Sequence, residues 1–247
     1  MFLLRYLRHM ELKQRTGRYF LYAIGEIVLV VVGILIALQI NNWNEGRKQD
    51  QQRLELIENL KRDFQTTLTR LEEPLNRAEL NVQSILDLMK VAAGEKKDLT
   101  VDETKSLMRR CFQGIFFRPA MGSYIAAQNA GTITLVGDDL LNELFVEFEE
   151  DYARFMDVEK VSLENTFMGS RGALRTKLGS EYYLTDTPNR YRPEVFALSD
   201  QEYLEFISQK EVFAIINSFY ILRSDQARWL RKIKENTENI LAALKAL

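Results

Sequence analysis

From Tyr19 to Ile40 the chain is almost wholly apolar, and no other feature constrains its fold as much. A helix rises about 1.5 Å per residue, so this run covers roughly 30 Å, the thickness of a bilayer's hydrocarbon core. Amphipathic rings stand at both ends, Tyr19 and Tyr22 at one and Trp43 at the other, where headgroup layers would lie. Arg5, Arg8, Lys13, Arg15 and Arg18 precede the run against a single acid, Glu11. Cations so placed hold their side of a span in the cytoplasm, which puts residues 1–18 inside, 19–43 across the membrane and 44–247 outside. A cleaved signal peptide shares the basic start and apolar core, but it needs small residues at alternating positions afterwards. The chain instead reads Gln39-Ile40-Asn41-Asn42-Trp43, so an uncleaved anchor is expected.

One acid, Glu26, interrupts the run. Insertion scales charge about 3 kcal/mol for an ionised side chain near the middle of a bilayer, and less toward an interface. Steps of four and three from Glu26 reach Val30, Gly33 and Ala37, with Asn41 extending nearly the same stripe. Two small residues on the carboxyl's face permit close helix approach. Glu26, Val30, Gly33, Ala37 and Asn41 are therefore the candidate transmembrane assembly face, for a homo-oligomer or a partner membrane protein. The competing reading is a glutamate that reaches back to the cytoplasmic headgroups near Arg18.

Composition limits the chemistry of the rest. The formal net charge is -2, and the segment after the span carries about -5, which argues against a general affinity for nucleic acid. Cys111 is the single cysteine and cannot form an internal disulfide. His9, the single histidine, lies in the N-terminal basic segment. Zinc chemistry, a Ser-His-Asp triad and the ligands of a di-iron bundle all lack a histidine outside the membrane. An enzyme would have to use carboxylates or tyrosines alone as acid and base, and no cofactor or resident metal is expected.

The chain beyond the span has helical spacing throughout and few breakers. Phe64, Leu68, Leu71, Leu75, Ala78, Val82, Ile85 and Met89 alternate steps of four and three, with Leu54, Ile57 and Leu60 upstream. This predicts a helix leaving the membrane and continuing to about Val91, with a kink or break at Pro74. Capping boxes at Thr100 with Glu103, Ser199 with Glu202 and Ser208 with Glu211 mark further helix starts. A short helix from Ser123 to Asn129 should end at Gly131, and Asp138 should cap another running to about Asn165. The last helix carries the stripe Val212, Ile216, Phe219, Leu230, Ile233, Ile240 and Leu244. The fold class is all-α: one transmembrane helix continuing into an extracytoplasmic antiparallel bundle of about four main helices.

The residues Tyr22-Ala23-Ile24-Gly25-Glu26-Ile27, continuing through Gly33 to Asn44, resemble the N-terminal signature of a family of uncharacterised single-pass membrane proteins from Gram-negative bacteria. Ser123, Gly131, Ile133, Leu135 and Leu140 onward to about Tyr152 fit that family's looser pattern. The resemblance implies an inner-membrane anchor with a helical periplasmic domain, and it carries no activity.

Two further clusters stand out. Glu143, Glu147, Glu150 and Asp151 share a helical surface that can hold a cation or simply face solvent. Arg171, Arg175, Tyr182, Tyr183, Arg190 and Arg192 combine cations with rings, a mixture suited to an anionic or glycan ligand and equally to a loop packed over a bundle's end. The function these features favour is a membrane-anchored interaction, sensory or scaffold module without catalytic activity. The alternative is a subunit of a small oligomeric channel or transporter with Glu26 lining the path.

Overall fold

The computed structural model describes the backbone of residues 3–167, 174, 178 and 198–247, and the side chains of residues 24–164, 174, 178 and 198–247. Six helices are described: α1 (Leu3–Ala92), α2 (Val101–Cys111), α3 (Gly122–Ala130), α4 (Asp139–Phe167), α5 (Asp200–Ile207) and α6 (Lys210–Ala246). A single 3-10 turn, Thr132–Leu135, stands between α3 and α4, and no strand occurs among the described residues. The all-α expectation holds. The chain divides into two compact units, Met1–Glu55 and Leu56–Leu247.

In the first unit the described side chains from Ile24 to Glu45 are all exposed, whatever their polarity. The helix includes a window of mean hydropathy 2.3, none of it buried, that is long and apolar enough to cross a membrane.

In the second unit α1 buries Ile57, Leu60, Phe64, Thr67, Leu71, Pro74, Leu75, Ala78, Asn81, Ile85 and Leu88. The spacing is the expected alternation of threes and fours, but the stripe is turned slightly from the predicted one. Thr67, Asn81 and Leu88 are buried, whereas Leu68, Val82 and Met89 lie half-buried at its margin and Leu54 is exposed. Pro74 does not break the helix. Its ring sits on the buried stripe, so the apolar surface it contributes offsets the hydrogen bond its missing N–H removes.

Two predicted capping boxes form as expected. Thr100 Oγ1 accepts from the Glu103 N–H while the Glu103 carboxylate accepts from the Thr100 N–H, and Ser199 and Glu202 do the same for α5. The third does not form. Ser208 ends α5, donating its hydroxyl to the Leu204 carbonyl at 2.9 Å, and α6 starts behind Gln209 without a side-chain cap. With so little chain between α5 and α6, the Ser208 hydroxyl is already engaged by the helix it closes. Asp138 caps α4 as expected, its Oδ1 accepting from the Leu141 N–H at 2.9 Å. Gly131 ends α3 in the left-handed region at φ 69°, a conformation that glycine adopts without the cost a Cβ brings.

Helix α6 runs antiparallel to both other long helices. Against α4, Asn236 meets Asp151 and Arg223 meets Ser162, so numbering falls along one as it rises along the other. Against α1, residues 57–78 share a cluster with 227–244, and Ile85 and Leu88 share a second with Val212, Ile216 and Phe219. Helices α1 and α4 consequently run parallel, and a return leg must connect them.

Gln113–Met121 is that leg, and it is not helical. Asn81 Nδ2 donates to the Gln113 carbonyl at 3.4 Å, Thr67 exchanges two hydrogen bonds with Ala120 at 3.1 and 2.8 Å, and the Ser123 N–H donates to Asp63 Oδ2 at 2.6 Å. The anchors descend α1 as the segment's own numbering ascends. Fourteen helical residues separate Thr67 from Asn81, about 21 Å, and seven residues cover that distance from Gln113 to Ala120. At about 3 Å per residue the segment is nearly extended. Burial alternates accordingly: Ile115 and Phe117 point into the core, Phe116 and Arg118 outward. The Phe117 ring packs edge-on against Tyr152 and Phe155 of α4, 6.2 Å from each.

Candidate functional site: the uncovered helix face

Glu26, Val30, Gly33, Ala37 and Asn41 share one face of α1, and every one of them is exposed. Glu26, Ile27, Val30 and Val31 border a shallow depression on the helix surface. A Cβ added at Gly33 would meet nothing within 4 Å, so the gap in the side-chain layer is open. Glu26 forms no hydrogen bond or ion pair among the described residues. At the other end of the apolar stretch the Arg47 guanidinium lies 5.2 Å from the centre of the Trp43 ring, a cation–π pair that joins an amphipathic ring to a charge.

The acidic surface on α4 divides. Glu147, Glu150 and Asp151 line a polar groove with Lys232, Glu235, Asn236 and Asn239 of α6, and Glu143 lies outside it. Asp151 Oδ2 accepts from Asn236 Nδ2 at 2.7 Å, and Lys232 Nζ stands 3.9 Å from Oδ1. Burial raises the Asp151 carboxyl above its ordinary range, Lys232 opposes that, and Glu147, Glu150 and Glu235 add to it. Asp151 therefore ties α4 to α6, and among the described residues no three acids, histidines or cysteines gather where one metal ion would sit.

Arg171, Arg175, Tyr182, Tyr183, Arg190 and Arg192 lie outside the described residues. Leu174 and Leu178 are helical and buried in the core cluster around Phe206 and Ile216, one turn apart.

A polar layer around the buried Arg223 and Glu159 has no local mark in the sequence. Arg223 is 1% exposed, and its guanidinium donates to Ser162 Oγ at 3.1 Å, to Gln226 Oε1 at 2.6 Å and to the Cys111 carbonyl at 3.4 Å. Arg118, on the return leg, donates to Glu159 Oε2 of α4 at 2.9 Å. That bond to the nearly buried carboxylate raises the Arg118 guanidinium above its ordinary value. These contacts bind the end of α2, the return leg, α4 and α6 to one another. Arginines sit on many solvated helix faces, so nothing local in the sequence marks Arg223 as buried; for the return leg the alternation in Ile115-Phe116-Phe117-Arg118 was the available signal.

A family model described as a family of unknown function, DUF6090, matches residues 26–158, more than half of the chain. The chain belongs to this family. The match begins at Glu26 and takes in the apolar face, the α1 stripe, the return leg, α3 and most of α4, leaving α5 and α6 beyond its end. No curated protein and no solved structure matches the chain.

Proposed function

We propose that this DUF6090 member is a membrane-anchored interaction module that works by assembly and not by catalysis. Residues 1–18 lie in the cytoplasm, 19–43 cross the inner membrane, and the helical domain stands in the periplasm. The observation that carries this reading is the apolar window of α1, of mean hydropathy 2.3 with none of it buried, since a core helix of that composition would be covered by its own chain. The cation excess before it, the Trp43–Arg47 pair after it and the resemblance of Tyr22–Asn44 to a single-pass family support the same placement. The domain packs its own stripes without the window's help, which suits a folded module held at a membrane. Lateral assembly runs through Glu26, Val30, Gly33, Ala37 and Asn41, the face on which a polar group is left for another molecule to satisfy.

The test is topological. A reporter active only in the periplasm, fused after Leu247, should be active, and the protein should stay with membranes through carbonate extraction. A soluble mature form beginning near Trp43 would overturn the anchor.

A further inference from the structure

Glu26 restricts its neighbour more than the small residues beside it do. Along the helix it lies eight residues, about 12 Å, from Arg18 and seventeen residues, about 26 Å, from Trp43. A glutamate carboxyl reaches only about 4 Å from its Cα, so it stays within hydrocarbon when fully extended toward the nearer headgroups. From Tyr19 to Gly46 the chain has no lysine, arginine or histidine. A second copy, crossing in the same direction, would present only its own Glu26 at this depth. Two ionised carboxylates accept hydrogen bonds without donating any and repel, so two copies would meet here only by taking up a proton. A cation at that depth supplies both the donor and the opposite charge.

We propose that the Glu26 face receives a different span, one carrying a lysine or arginine about two helical turns in from the membrane surface nearest this chain's N-terminus. This rests on the anchored reading above. The side chains around Glu26 bear on the pairing: Val30 lies one turn on, and the open gap at Gly33 lets the second backbone come close, so its lysine or arginine can reach the carboxylate. The complementarity lies in charge and depth, so the face selects among spans that are otherwise equally apolar.

Energy transfer in vesicles tests this. Full-length protein with a fluorescent protein after Leu247 is reconstituted in phosphatidylcholine with an acceptor-labelled, leucine-rich synthetic span that carries either one lysine at the matching depth or leucine there. Interhelical polar contacts of the strength known in membranes correspond to about a 5- to 30-fold higher association constant for the lysine span. Glu26→Gln should remove most of that excess and Glu26→Asp should keep part of it, with the helical circular dichroism of both unchanged. Equal transfer to the two spans, or an excess that survives Glu26→Gln, overturns the proposal. Transfer between two copies of the protein as strong as transfer to the lysine span also overturns it and makes a second copy the occupant. If the protein fails to float with the vesicles, the anchored reading falls as well, and flotation is scored separately from transfer.

Discussion

Replacing Thr67 with valine tests whether the return leg is held where the hydrogen bonds place it. Thr67 is fully buried on α1, and its hydroxyl donates to the Ala120 carbonyl at 3.1 Å and accepts from the Ala120 N–H at 2.8 Å. Valine keeps the shape and deletes both bonds. Each contributes about 0.5–1.5 kcal/mol net, the added methyl returns up to about 0.8 kcal/mol, and the half-buried Ala120 backbone recovers part of the loss from water. The expected destabilisation is about 1.5 kcal/mol, which lowers the midpoint of thermal unfolding of a soluble fragment 44–247 by about 3–6 °C. Thr66 and Thr69 are the controls, because their hydroxyls bond only to carbonyls one turn back on α1, those of Arg62 at 2.8 Å and Gln65 at 3.2 Å. Valine at either should change the midpoint by no more than about 1 °C. Hydrogen exchange at the Ala120 amide should quicken in Thr67→Val alone. A Thr67→Val midpoint matching those of the two controls would refute the account of the return leg.

Gly131→Ala should destabilise the domain by about 1 kcal/mol through backbone strain alone, since φ is 69° and a Cβ there would meet no atom within 4 Å; equal denaturation midpoints would contradict this. Hydrogen bonds from Thr100 and Ser199 hold the Glu103 and Glu202 carboxyls below their ordinary value of 4.5. A carboxyl lowered on folding stabilises fully above its unfolded value, and that contribution disappears as pH falls through the lowered one. The difference in midpoint between the native chain and a Glu103→Gln, Glu202→Gln variant should therefore be constant from pH 7 to about 5 and shrink below about pH 4, as thermal scans across that range would show.

Local patterns carried much of this fold. The apolar run, the Thr100 and Ser199 boxes, the Asp138 cap and the Gly131 stop are each set by residues within a turn or two of one another, so the sequence by itself determined where those helices begin or end. The stripe of the last helix was legible for the same reason, and Val212, Ile216, Phe219, Leu230, Ile233, Ile240 and Leu244 are all buried. The rotation of the α1 stripe was not legible. Leu68 and Val82 are the more apolar choices, and Thr67 and Asn81 enter the core where Ala120 and Gln113, far along the chain, bring main-chain groups with which a polar side chain can pair. Tertiary structure likewise decided that α1 and α4 run parallel, that an extended segment returns the chain between them, and that Arg223 is buried against Ser162, Gln226 and Cys111. Apart from Gln226, one turn along α6, each depends on partners with no sequence proximity. Glu26 is the opposite case. The described fold places nothing against it, and its depth in the apolar run and the lack of a cation from Tyr19 to Gly46 are both properties of the sequence.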